Sequence, residues 1–198
     1  MPEKVLLRGE PLDANLHVAW LQGAVARNLK YDIQGTFIST TTTFDGFKNF
    51  CFDDPSKVFN TEESKLISGT TNEIGDATVK ARLEVGSSAP GMLLANFVTR
   101  VFEESGDFSI DASRMLYSPY KRYAGIHSPQ VGKKQLNTDK AYSYEVASVD
   151  YKGQPVANTE IEVKVYKIYW YWWWSSDNSM LACLLYTSPS PRDGLLSR

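Results

Sequence analysis

Reactive side chains are few in this chain, and their spacing argues against catalysis. Cys51 and Cys183 are the only cysteines, and neither belongs to a Cys-x-x-Cys or Cys/His pattern, so neither a disulfide framework nor a zinc site is indicated. His17 and His127 lie far apart in sequence, whereas a metal site usually draws on three or four ligands; both read as solvated or hydrogen-bonded surface histidines. Adjacent carboxylates occur at Asp53-Asp54, Glu62-Glu63 and Glu103-Glu104. Acid/base work needs two carboxylates on one surface, but neighbours on a strand point to opposite faces, so solvated charge is the expected role. A loop pair escapes that argument, which leaves calcium at Asp53-Asp54 as an open alternative. No Gly-x-Ser-x-Gly, His-Glu-x-x-His or glycine-rich phosphate loop is present.

Aromatic chemistry is the other possibility. Trp170, Trp172, Trp173 and Trp174 surround Tyr171. Strand alternation would put Trp170, Trp172 and Trp174 on one face and Tyr171 and Trp173 on the other, so both faces must be covered or adhesive. Core and interdomain packing is the first reading. An aromatic platform for sugar rings, in a carbohydrate-binding or adhesin-type sandwich, is the alternative.

The elements that would carry these residues read as strands. Among the 198 residues 42% are hydrophobic and 13% aromatic, enough for a packed core and too much for disorder. The formal charge of -2 comes without a long run of either sign, which excludes nucleic acid and anionic membrane as expected partners. Residues 77–85 alternate Ala77, Val79, Ala81, Leu83 and Val85 against Thr78, Lys80, Arg82 and Glu84, the period of a half-buried strand. After a Gly/Ser/Pro turn, residues 92–103 continue as an apolar strand, and residues 107–117 supply another. Earlier, residues 16–20 and 31–38 predict a further strand pair. Residues 40–71 read as an irregular excursion, with Phe44, Phe47, Phe50, Phe52 and Phe59 capping the end of a sandwich. A second unit is expected from Gly125, with strands over 140–149 and 159–167 joined by a turn at 150–155.

Several of these segments resemble the bacterial alpha-2-macroglobulin family. The run from Val156 to Trp174 is similar to a family strand that ends in Trp-Arg-Trp-Trp-Trp, with Tyr171 standing where the family has Arg. Before it, Asp150-Tyr151-Lys152-Gly153-Gln154-Pro155-Val156-Ala157 resembles the family's Asp-x-x-Gly-x-Pro-Val-x turn. Gly23-Ala24-Val25-Ala26-Arg27-Asn28-Leu29 is similar to the Gly-Ala-x-Ala-x-Asn-Leu connection of the preceding macroglobulin domain, and Phe52-Asp53-Asp54-Pro55 with Phe59 to its Phe-x-Asp-Pro insertion. Ile126-His127-Ser128-Pro129 resembles the start of the next domain. The resemblance covers residues 9–180 and implies an all-β fold of two consecutive macroglobulin (fibronectin-like) antiparallel β-sandwiches. The first would span residues 1–124 and the second, incomplete, residues 125–182. Residues 183–198 resemble a translated sequencing adapter and are set aside as a non-native tail.

The resemblance also implies a function for a larger parent. Family members trap proteases: cleavage of a bait segment makes the trap rearrange, and many carry a Cys-x-x-Gln thioester. Cys51 is followed by Phe52-Asp53-Asp54 and Cys183 by Leu184-Leu185-Tyr186, so neither matches the thioester pattern. Cys51 is expected instead as a small buried hydrophobe. The chain is thus expected to be a structural fragment of an endopeptidase inhibitor, with no catalytic residue, cofactor or metal site of its own. Its partners would be neighbouring macroglobulin domains and, through the parent, target proteases. Residues 1–4 lead into too short an apolar run for a signal peptide, and the parent is expected in the periplasm or cell envelope.

Overall fold

A computed structural model describes residues 5–129 and 140–165. Among them are nine strands: β1 (Leu6–Leu7), β2 (Pro11–His17), β3 (Lys30–Ser39), β4 (Glu62–Thr70), β5 (Asp76–Arg82), β6 (Leu93–Phe102), β7 (Phe108–Ser118), β8 (Arg122–His127) and β9 (Glu145–Asp150). Five form a sheet in the order β1-β7-β6-β3-β4, β2 pairs with β5, and β8 pairs with β9. The fold is all-β. Every ladder is antiparallel except β1 on β7, where Leu6 faces Tyr117 and Leu7 faces Ser118. By its contacts the chain divides into two compact units, Met1–Thr159 and Glu160–Arg198.

The alternation at residues 77–85 has the predicted effect. Val79 and Leu83 are buried and Thr78, Lys80, Arg82 and Glu84 exposed, because β5 turns one face toward the larger sheet. Two buried clusters fill the space between the sheets. Phe37, Leu93, Ala95, Phe97 and Tyr117 meet Leu83 in one, and Tyr31, Leu29 and Val101 meet Val79 in the other. Phe37 has no exposed surface and packs edge-on against Phe97 and Tyr117, at ring separations of 6.3 and 5.2 Å. The buried Tyr117 hydroxyl faces the carbonyls of Leu83 and Val85, at 3.2 and 3.0 Å, which ties the large sheet to the chain leaving β5.

Three expectations change. Residues 16–20 and 31–38 do not pair; β2 joins β5, while β3 lies between β4 and β6 in the other sheet. Residues 62–70, read as irregular, form the edge strand β4. Its alternation is hidden by a register shift at Ile33/Gln34, where the partner steps from Ile67 to Lys65 and a bulge breaks the period of two. The strand over 140–149 is shorter than predicted and pairs with β8 rather than with residues 159–167. Residues 160–165 of the second unit form no strand, and their alternating Val163 and Val165 are 64% and 93% exposed. Residues 166–167 lie outside the described residues.

Phe37→Ala should leave a cavity that the rigid sheets cannot close. A loss of about 3–5 kcal/mol is expected, read as a lower urea midpoint with an unchanged m-value.

Candidate functional site

The excursion between β3 and β4 is built around a threefold spacing of aromatics. Phe44, Phe47 and Phe50 stand three apart, and each interval closes a turn: the Phe47 amide donates to the Phe44 carbonyl (3.1 Å) and the Phe50 amide to the Phe47 carbonyl (2.9 Å). Gly46 supplies the left-handed conformation that the first turn needs (φ 87°). The rings therefore gather instead of scattering. Phe44 lies edge-on to Phe52 at 4.8 Å, Phe47 to Phe50 at 5.5 Å, and Phe44 meets Tyr123 of β8 at 5.5 Å.

Phe44 and Phe52 join Met92, Tyr123 and Val149 in a third buried cluster, separate from the two between the sheets. The excursion therefore packs against the β8–β9 hairpin, a role beyond the expected capping of the sandwich. Absent side chains make the fit possible. A Cβ on Gly125 of β8 would stand 2.4 Å from Phe52 Cε1, and one on Gly153, just after β9, 2.9 Å from Phe44 Cδ1. Each phenyl ring lies directly on hairpin backbone. Main-chain bonds hold the same contact: Cys51 and Ile126 exchange both amides, at 2.9 and 3.0 Å.

On its other side the excursion is tied to the sandwich through polar groups. Both Asp53 carboxylate oxygens accept from the Thr42 amide at 3.2 and 3.1 Å, and the Thr42 hydroxyl accepts from the Met92 amide at 2.7 Å. Gly91 leaves room for these groups, since a Cβ there would stand 2.0 Å from Asp53 Oδ1. Asp54 turns elsewhere and accepts from the Ser56 amide and hydroxyl at 3.0 and 2.6 Å. The Ser56 hydroxyl bond, against a smaller opposing effect of burial, holds the Asp54 carboxyl below its ordinary value. The pair thus faces two different sets of protein donors.

Tyr123 carries the buried polar group of the joint. The Ser118 hydroxyl donates to the Tyr120 carbonyl (2.7 Å), so its oxygen accepts the Tyr123 proton across 2.6 Å. Burial above all pushes the Tyr123 phenol up to about 12, and Tyr117 likewise.

The residues singled out from sequence are dispersed. His17 ends β2, exposed and bonded to Asp76. His127 ends β8, its ring tilted against Phe50 with centroids 5.4 Å apart and Glu145 3.2 Å from its Nδ1. Glu62 and Glu63 open β4, and Glu103 and Glu104 sit in the β6–β7 turn. Cys51 is exposed, contrary to expectation, because it alternates with the buried Phe52 on the segment bridged to Ile126. Among the described residues no three His, Cys, Asp or Glu come close enough to share a metal ion. Cys183 and the cluster of Trp170, Tyr171, Trp172, Trp173 and Trp174 lie outside the described residues. Sequence reasoning missed the glycines: Gly125 served as a boundary and Gly153 as a turn, and only the density of Phe before β4 hinted that something flat must receive it.

The family profile described as the bacterial alpha-2-macroglobulin MG5 domain matches residues 1–108, and that of bacterial macroglobulin domain 6 matches residues 125–183. No curated protein matches the sequence. Among solved structures, Escherichia coli alpha-2-macroglobulin in its native conformation superposes with a TM-score of 0.52 at 14% identity, over 94% of this chain and 13% of its own. The same protein activated by porcine elastase gives 0.52 at 15% identity, over 92% and 16%. Salmonella alpha-2-macroglobulin reacted with methylamine gives 0.54 at 14% identity, over 94% and 13%. At such identities these structures speak for the fold alone, and the chain spans only a small part of their length.

Two outcomes test the joint. Gly125→Ala should push Phe52 off the hairpin at a cost of about 1–3 kcal/mol, and Phe52→Ala combined with it should cost less than the two separately, measured as a double-mutant cycle in urea. Alkali should act through Tyr123. Unfolded, it ionises near its ordinary 10, and folded near about 12, so its contribution is complete below pH 10 and declines as pH rises from about 10 to about 12. The urea midpoint should fall across that window, and less steeply in Tyr123→Phe.

Proposed function

Because the chain belongs to the bacterial alpha-2-macroglobulin family, we propose that it is a structural portion of a protease-trapping inhibitor, holding consecutive macroglobulin domains in fixed register within a longer polypeptide. The observation that supports this reading is the joint: residues from the stretches matched by the two consecutive family profiles pack into one buried cluster of rings, with main-chain hydrogen bonds between Cys51 and Ile126 beside it. Such a contact resists bending better than a polar linker would, because tilting either side exposes Phe44, Phe52 and Tyr123 to water together.

In this reading the chain makes and breaks no bonds. Target proteases engage the trap through other parts of the longer polypeptide; the Escherichia coli protein similar in fold is one that porcine elastase activates. Neighbouring macroglobulin domains of the same polypeptide are its direct partners, and the bacterial periplasm or cell envelope is its place of action.

The test is a protease-protection assay. The longer polypeptide, mixed with elastase, should slow digestion of a large protein substrate while a small chromogenic peptide is still cleaved. This chain alone should slow neither. A longer polypeptide that leaves digestion of the large substrate untouched would overturn the proposal.

A further inference from the structure

We infer that Asp45-Gly46, in the turn that seats Phe44 on the hairpin, is a site of spontaneous main-chain modification: the pair closes to a succinimide and reopens to isoaspartate, which unseats the joint. The main-chain amide of residue 46 must reach the side-chain carboxyl of residue 45, and a side chain on the second residue would shield that amide. Gly46 has none, and even a Cβ built on it would meet nothing within 4 Å. Both residues are exposed. Among the described residues the Asp45 carboxylate accepts no hydrogen bond and forms no ion pair, and the Gly46 amide donates to no group. Neighbouring carboxylates differ in each respect. Asp53 is held by the Thr42 amide, and the amide that follows it donates to the Pro90 carbonyl at 2.8 Å. Asp54 is held by Ser56 and followed by Pro55, which has no N–H. Asp32 is held by Arg100 and followed by the branched Ile33.

Water is the only other reactant. The Gly46 nitrogen bonds to Asp45 Cγ, its proton and the carboxyl hydroxyl leave as water, and a five-membered imide remains. Water then adds to either carbonyl of the ring. Opening at Cγ restores aspartate, whereas opening at the main-chain carbonyl leaves Gly46 joined through Cγ and frees a main-chain carboxylate. The main chain then runs through Asp45 Cβ and Cγ, one carbon longer than before, with no net change in composition.

That carbon enters a turn whose length sets the spacing of the rings. The Phe47 amide reaches the Phe44 carbonyl across it at 3.1 Å, so a longer turn moves Phe44 and Phe47 relative to each other. Phe44 has little slack to absorb the shift, since it packs on Phe52 at 4.8 Å and Tyr123 at 5.5 Å and lies against the Gly153 backbone. Isoaspartate at 45 therefore loosens the cover over β8 and β9. The buried clusters around Phe37 and Tyr31 are separate from this one and keep their packing.

Mass spectrometry tests both steps on the whole chain. The folded chain is kept in heavy-oxygen water at neutral pH, then digested with trypsin in ordinary water, which releases residues 31–48 as one peptide. Asp45 should take up heavy oxygen and accumulate isoaspartate at a rate within about tenfold of that in the urea-unfolded chain, because an exposed turn opens at little cost. Asp32, in the same peptide, should stay unlabelled. Asp45→Glu, whose attack would need a six-membered ring, should abolish the label and leave the fold intact. Amides of β8 and β9 should exchange hydrogen about tenfold faster in the isomerised chain than in Asp45→Glu, with those of β3 and β6 alike in both. A folded chain that stays unlabelled at residue 45 while the unfolded chain takes up label overturns the proposal, and so does an isomerised chain whose β8 and β9 exchange as before.

Discussion

Two phenylalanines can sit directly against the backbone of a strand pair only if nothing stands up from that backbone. Phe44 and Phe52 meet that condition at Gly153 and Gly125, and the rest of the joint depends on it. Once Phe52 is seated, Cys51 is drawn level with Ile126 and the two exchange main-chain bonds, which leaves the Cys51 side chain outside. Once Phe44 is seated, Tyr123 and Val149 close around it. An isolated two-stranded hairpin is marginal in water, so β8 and β9 need this cover as much as the excursion needs them.

The sandwich itself relies on a different device. Its smaller sheet, as described, has only two strands, too few to hold itself in place against five. Tyr117 compensates by reaching through the core to carbonyls at Leu83 and Val85, so the chain beyond β5 is fixed by a buried hydroxyl as well as by apolar contact. The Asp32–Arg100 pair, directly opposed across β3 and β6 with both bonds at 2.8 Å, reinforces the register of these two strands. The aromatic packing of the large sheet is concentrated where Phe37 meets Phe97 and Tyr117.

Much of this was legible from residue order. The strict alternation at residues 77–85 marked β5 and its buried face, and the turn residues around Gly106 marked the β6–β7 hairpin, because both signals are local. Pairing was not legible. β2 and β3 follow one another in sequence yet sit in separate sheets, a choice made by packing around Tyr31 and Phe37 and not by either strand alone. β4 was invisible because an edge strand needs little apolar surface and its bulge breaks the period. Nor could sequence show that Gly125 and Gly153 receive rings, since a glycine that makes room looks the same as one that makes a turn.

The same distinction bears on chemistry. Residue types suited to catalysis are present, and several of the described ones bond within the fold: Asp53 with the Thr42 amide, Asp54 with Ser56, His17 with Asp76, His127 with Glu145. Here the carboxylates nearest the joint are satisfied from within, and the tyrosines that could lose a proton are pushed to about 12 by burial. Polar groups used in this way stiffen the excursion between β3 and β4 against its neighbours.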